Sequence, residues 1–136
     1  MSMQVGVVQF PGTNCEQDVI WALEQVGIGA DILWHQSTDL SSFDAVVIAG
    51  GFAHGDYLRT GAIAQFSPVM QSIASAADGG MPVVGICNGF QILCEAGLLP
   101  GALQKNAGLK FLCGTTQLRV AATNSPLTTE FAVGDL

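Results

Sequence analysis

The run Pro82-Val83-Val84-Gly85-Ile86-Cys87-Asn88-Gly89-Phe90-Gln91-Ile92-Leu93 decides the fold. Pro82 to Ile86 is a short apolar stretch of the kind that forms a buried strand, and it leads straight into Cys87. A helical pattern follows, with Phe90, Leu93 and Cys94 spaced to share one face. Gly85 and Gly89 flank the cysteine at positions minus two and plus two. This is the strand–turn–helix layout of a nucleophile elbow, with Cys in place of Ser. In so sharp a turn, side chains at the two flanking positions would collide with the strand or the helix. Glycine removes the collision and tolerates unusual backbone angles. The cysteine then sits at the carboxyl end of a strand and the amino end of a helix, where the helix dipole and unpaired N–H groups favour negative charge.

The 136 residues suffice for one domain with a real core, and a single domain over 1–136 is expected. Hydrophobic residues make up 49% and charged residues 11%, which suits an α/β protein whose central strands are buried on both faces. The net charge is -7 and there is no basic patch, which argues against nucleic acid as a partner. No apolar run is long enough to span a membrane. The start, Met1-Ser2-Met3-Gln4, has neither a charged n-region nor a long apolar core, so no secretory leader is expected. Cys15, Cys87, Cys94 and Cys113 form no C-x-x-C pair, and His35 and His54 lie far from them in sequence. No metal site is expected, and reduced thiols in the cytoplasm are the natural reading.

Taken in order, Val5 to Val8 reads as the first strand, broken by Phe10-Pro11-Gly12. Thr13 and Glu16 match a capping box. Val19, Ile20, Leu23 and Val26 carry a helical stripe closed by Gly27. Strands near Ala30 to Trp34 and Ala45 to Ala49 follow, giving β-α-β and then β, the order of a parallel sheet with right-handed crossovers. Gly50 through Gly61 holds four glycines directly after a buried strand, at the end of the sheet where ligands bind in open α/β folds. Phe66, Val69, Met70, Ile73 and Ala77 form a second helical stripe, read as core. Beyond Gly101, Phe111 to Cys113 and Gln117 to Val120 are expected as strands in a hairpin around Gly114.

With the elbow and the glycine loop in hand, the chain resembles the class I (triad) glutamine amidotransferases, and among them the glutaminase subunits that serve purine biosynthesis. The matching stretches are Pro11-Gly12-Thr13-Asn14-Cys15-Glu16, Trp34-His35, Gly50 through Ala64, Pro82 through Leu103, Asn106 and Leu109-Lys110-Phe111. The resemblance implies a flavodoxin-like parallel α/β domain. It implies that Cys87 attacks the side-chain amide of glutamine and forms a γ-glutamyl thioester. It places the oxyanion donors on the backbone N–H groups of Gly51 and Asn88, and substrate binding at Gly50 and Gln91. It implies no cofactor in this subunit, with ATP and Mg expected on a large synthetase partner that receives the ammonia, and a small bridging subunit as a further partner. Because Asn88 would act through its backbone, Asn88→Ala is expected to be mild.

The family takes its general base from a His oriented by a Glu in a His-Pro-Glu motif, and this chain reaches Asp135-Leu136 without one. The resemblance therefore implies that the C-terminal part of the family domain is missing. His54, with Asp56 as its nearest acidic neighbour in sequence, is the candidate for a substitute base. The alternative to an enzyme is a non-catalytic fragment, or a module of the same fold kept for binding a partner.

Overall fold

In a computed structural model, residues 2–136 are described, and they fall into two compact units, Met1–Leu103 and Gln104–Leu136. The first unit holds every strand and helix. Its order is β1 (Gln4–Gln9), α1 (Glu16–Gln25), β2 (Gly29–Trp34), β3 (Ala45–Ile48), α2 (Thr60–Ala64), α3 (Pro68–Asp78), β4 (Val83–Gly85) and α4 (Asn88–Glu95). The strands form one parallel sheet in the order β2-β1-β3-β4. That is the flavodoxin-like order, whose topological switch lies between β1 and β3.

Valine and isoleucine dominate the central strands because both faces of the sheet are covered. On one face Val5, Val7 and Ala49 pack with Val19, Ile20 and Leu23 of α1. On the other, Val8, Val46 and Ile48 pack with Val69, Met70 and Ile73 of α3 and with Ile92 and Leu93 of α4. The helices therefore sandwich the sheet and leave its carboxyl edge to the loops. Among the described residues no helix is long and apolar enough to cross a membrane.

Several local expectations are corrected. Thr13 and Glu16 make no capping box: α1 begins at Glu16 after Cys15, which gives no side-chain cap. Thr13 Oγ1 instead accepts from the Phe10 N–H at 3.0 Å, and Glu16 Oε1 accepts from Gln9 Nε2 at 2.6 Å. The two side chains tie the loop to β1 because the chain has not yet turned helical at Thr13. Phe66 lies before α3 and is 82% exposed, so it belongs to no core stripe. On α4 the buried pair is Ile92 and Leu93, whereas Phe90 is exposed, because the helix meets the sheet along Gly89. The short helix α2 has too few residues to show a period, and it was not anticipated.

The second unit contains turns but no strand, so the hairpin expected around Gly114 is absent. Its longest-range backbone pairing joins Val120 N–H to Asp135 carbonyl at 2.9 Å and Gly134 N–H to Val120 carbonyl at 2.9 Å. Phe111, Leu112 and Leu118 are exposed. A two-stranded hairpin without a packed face is at best marginal in water, so β propensity alone does not make one.

The approach of α4 to the sheet is the tightest in the fold. A Cβ on Gly89 would run into the carbonyl of Ile48, and one on Gly85 would meet the Gly89 carbonyl carbon and oxygen at 2.6 Å. Gly89→Ala is expected to destabilise the protein by about 3 kcal/mol, although alanine is the better helix former. Gly114→Ala, with nothing within 4 Å, is expected to stay within about 0.5 kcal/mol. Urea unfolding followed by the fluorescence of Trp21 and Trp34 checks both; an unchanged midpoint for Gly89→Ala would contradict the packing.

Candidate active site

The carboxyl ends of β1, β3 and β4 carry three loops that meet at Cys87. Cys87 precedes the first residue of α4 and has φ 53° and ψ -109°, a left-handed conformation that a non-glycine residue adopts at a cost of about 1–3 kcal/mol. The turn closes because Ile86 N–H donates to the Ile48 carbonyl at 3.0 Å and Gly89 N–H to the Ile86 carbonyl at 2.8 Å. The Cys87 side chain is exposed, and its sulfur makes no hydrogen bond among the described residues. Gly50, at the end of β3, is forced to be glycine by this cysteine. A Cβ there would stand 2.8 Å from Cys87 Cβ and 2.8 Å from the Ile86 carbonyl oxygen.

Gly51 has φ +123°, and a Cβ on it would meet Asn14 Cβ at 2.7 Å and the Cys15 nitrogen at 2.9 Å. The β1–α1 loop thus lies directly against the glycine turn. Cys15 N–H donates to the Gly50 carbonyl at 3.2 Å, and Asn14 Nδ2 donates to the Gly51 carbonyl at 2.7 Å. In a trans peptide the C=O and N–H point opposite ways. Holding the Gly50 carbonyl against Cys15 therefore turns the Gly51 N–H to the other side. Neither the Gly51 N–H nor the Asn88 N–H has an acceptor among the described residues.

The Asn88 side chain is 2% exposed. Its Oδ1 accepts from the Ala53 N–H at 2.9 Å, and its Nδ2 donates to Gln91 Oε1 at 2.9 Å and to Asp56 Oδ1 at 3.2 Å. A backbone N–H can only donate, so the contact with Ala53 sets which end of the amide is oxygen. Apart from any effect on rate, Asn88→Ala would leave the buried Ala53 N–H without this acceptor, at a cost of about 1–3 kcal/mol in stability.

All five residues singled out from the sequence, Gly50, Gly51, Cys87, Asn88 and Gln91, belong to this corner of the first unit. Neither histidine hydrogen-bonds to Cys87 among the described residues. His35 Nδ1 lies 3.2 Å from Ser67 Oγ, and its ring sits edge-on to Trp34. His54 packs against Gly12, where a Cβ would meet its Cε1 at 2.8 Å. Asp56 turns to Asn88 and makes no hydrogen bond to His54. Sequence reasoning missed Asn14 and Cys15 as parts of the site; the signal was their place after β1, beside the topological switch. No group of three or more His, Cys, Asp or Glu among the described residues is placed to hold a metal.

The family described as CobB/CobQ-like glutamine amidotransferase domain matches residues 2–131. The chain belongs to this family. It is 57% identical over 131 residues to the phosphoribosylformylglycinamidine synthase subunit PurQ of Mycobacterium bovis, covering 96% of this chain and 58% of that protein. It is 54% identical over 135 residues to the PurQ subunit of Koribacter versatilis, covering 98% of this chain and 58% of the relative. The solved structure of PurLQS from Thermotoga maritima contains a similar chain, with TM-score 0.84 and 40% identity, covering 99% of this chain and 63% of that one. This chain therefore spans a little under three fifths of the curated relatives it matches.

Cys15 and Cys87 should differ in reactivity. Desolvation pushes the Cys15 thiol above its ordinary value, and a hydrogen bond to Asp18, the charges of Asp18 and Glu16, and Cys87 push the same way. A raised value means less thiolate at neutral pH, and the thiolate is what alkylates. Limited iodoacetamide treatment at pH 7.5 with peptide mapping is expected to label Cys87 well ahead of Cys15. Asp18→Asn, which removes a charge that holds the proton on Cys15, should speed Cys15 labelling and leave Cys87 unchanged. Faster labelling of Cys15 in the unsubstituted chain would contradict this.

Proposed function

We propose that this chain is the glutaminase part of phosphoribosylformylglycinamidine synthase, releasing ammonia from glutamine for purine biosynthesis in the cytoplasm. The observation that carries the reading is an exposed cysteine in a left-handed elbow beside two N–H groups that lack acceptors. An amide is a poor electrophile, so its attack needs fixed donors where the negative charge develops. In the proposed reaction Cys87 Sγ bonds to the side-chain carboxamide carbon of glutamine. The C=O electron pair moves to oxygen, which accepts from the Gly51 and Asn88 N–H groups. The tetrahedral adduct collapses, the C–N bond breaks, and the nitrogen leaves as ammonia after taking a proton. Water then cleaves the γ-glutamyl thioester to glutamate and restores the thiol. Gly50 gives the substrate room beside Cys87, and Gln91 contributes to holding it.

Free ammonia protonates at neutral pH and loses its nucleophilicity, so the natural recipient is a bound synthetase. The likeness to a chain of PurLQS supports a large synthetase subunit as that partner; ATP and Mg on its side and a small subunit as a third member rest on the family resemblance alone. The loop after Gly51 and helix α2 expose Phe52, Leu58, Ile63 and Phe66, and Tyr57 is 94% exposed, an apolar surface suited to a protein partner.

Both proton transfers in this scheme need a general acid–base within about 3 Å of the reacting atoms. His35 Nδ1 pairs with Ser67 Oγ, and neither histidine hydrogen-bonds to Cys87 among the described residues, so no acid–base is seated on the sulfur. This favours the second reading, in which these residues by themselves bind without turning over. The 136-residue chain alone is expected to show no enzymic glutaminase rate, measured as glutamate release. A version extended through a His-Pro-Glu segment should be active and should lose that activity on Cys87→Ser. Robust turnover by the unextended chain that disappears on His54→Ala would instead assign the base to His54. Co-purification with a cognate large synthetase subunit tests the partner; no complex with the extended version would count against it.

A further inference from the structure

The buried carboxamide of Asn88 does more than fill the start of α4. We propose that it is a positioning residue that sets both sides of the glutamine site, the glycine turn and the Gln91 amide. The inference rests on the amidotransferase reading above and adds a side-chain role to a residue otherwise assigned only its backbone N–H.

Both ends of the Asn88 amide are committed. The oxygen takes the Ala53 N–H, and the two hydrogens of Nδ2 go to Asp56 Oδ1 and Gln91 Oε1. Ala53 stands two residues after Gly51, in a turn where Phe52, His54 and Asp56 all have positive φ. Such a turn does not hold itself, because each of these residues prefers another backbone region. Asn14 grips it from the β1 side at the Gly51 carbonyl, and Asn88 grips it from the α4 side at Ala53 and Asp56. The Gly51 N–H lies between the two grips. One of the grips is carried by the same residue whose own N–H is the second proposed donor. Asn88 thus takes part in setting the separation of the two donors from both ends, with Asn14 and Cys15 holding the glycine turn from the other side.

The other consequence falls on Gln91. Because Gln91 Oε1 accepts from Asn88, its Nε2 is the end left without a partner among the described residues. Gln91 therefore offers donors and not an acceptor to a ligand. That suits an acceptor group of the amino-acid substrate, such as its α-carboxylate. Without Asn88 the Gln91 amide is free to flip, and half of its orientations present the wrong atom.

The two functions can be separated by substitution. Asn88→Ala removes both. Asn88→Asp keeps an oxygen for the Ala53 N–H but as a carboxylate cannot donate to Gln91. It is made together with Asp56→Asn, whose amide donates to it where two carboxylates would otherwise face each other. The test uses the full chain and a diazoketone analogue of L-glutamine, with Cys87 modification followed by intact mass across analogue concentrations. Iodoacetamide labelling of Cys87 reports intrinsic thiol reactivity. Amide exchange at Ala53, with Val7 and Ile48 as references for the folded sheet, reports the grip on the turn.

The unsubstituted chain is expected to label saturably and to be protected by L-glutamine. Asn88→Ala should raise the half-saturating concentration and lower the limiting rate by about tenfold each, and speed Ala53 exchange by about tenfold, with iodoacetamide labelling unchanged. Asn88→Asp with Asp56→Asn should recover the limiting rate and the Ala53 protection while its half-saturating concentration stays raised. A merely structural role would not produce that split. If Asn88→Ala, with Val7 and Ile48 still protected, matches the unsubstituted chain in both constants, the inference fails and the amidotransferase reading stands. If the unsubstituted chain does not saturate, or glutamine gives no protection, both fail together. If Asn88→Ala loses protection at Val7 and Ile48, Asn88→Asp with Asp56→Asn decides: a half-saturating concentration equal to that of the unsubstituted chain overturns the inference.

Discussion

Helix α4 lies so close to β3 that the Ile48 carbonyl occupies the space where a side chain on Gly89 would be. The geometry of the carboxyl edge follows from that contact. The approach forces glycine at 85 and 89, and it brings Cys87 Cβ against the place where Gly50 has no side chain. The contact is held by burial. Ile48, Ile92 and Leu93 are almost wholly removed from solvent, and each such side chain is worth about 1.5–3 kcal/mol. The left-handed conformation of Cys87 costs about 1–3 kcal/mol. The three buried side chains outweigh that strain, so the core can hold its cysteine in a conformation it would not choose alone.

The loop after β3 presents the same problem on a larger scale. Phe52, His54 and Asp56 each have positive φ without being glycine. The nearby ion pair of Arg59 with Glu95 is not what restrains them. Arg59 is mostly exposed, and an exposed pair contributes at most about 1 kcal/mol. The stronger restraints are the hydrogen bonds of Asn14 and Asn88, of which the one from Ala53 N–H to Asn88 Oδ1 is buried and cannot exchange with water without cost. Helix α2 adds a packing restraint, since Gly61 lies against α4 where a Cβ would meet the Gln91 carbonyl at 2.8 Å. The loop is thus bound to the two segments, β1–α1 and α4, that complete the site.

The Gln104–Leu136 unit shows what happens where burial is lacking. Leu109, Phe111, Leu112 and Leu118 have the residue types of strands and cores, yet all are exposed. The unit is held by local turns such as Asn106 Nδ2 donating to the Lys110 carbonyl at 2.8 Å, and by the pairing of Val120 with Gly134 and Asp135. Strand propensity measures fit to a half-buried pleated surface, and without that surface it has nothing to act on.

The sequence by itself determined the parallel α/β class, the strand and helix order of the first unit apart from α2, and the elbow at Cys87. These depend on local signals: runs of buried valine and isoleucine, the 3.6-residue period, and glycines at fixed offsets. The same glycine spacing pointed to the collisions at 85 and 89, because an elbow is a local structure. Only the tertiary structure decided what lies across the site. Asn14 against Gly51, His54 against Gly12, and the Asn88 amide shared between Ala53 and Asp56 join residues from separate segments. Asn88 reads from sequence as a residue following a nucleophile, and its buried side chain becomes visible only when β3 and α4 bring the loop over it. Hydrogen-bond partners thirty or more residues apart leave no period in a chain; they are chosen by which elements the core packs side by side.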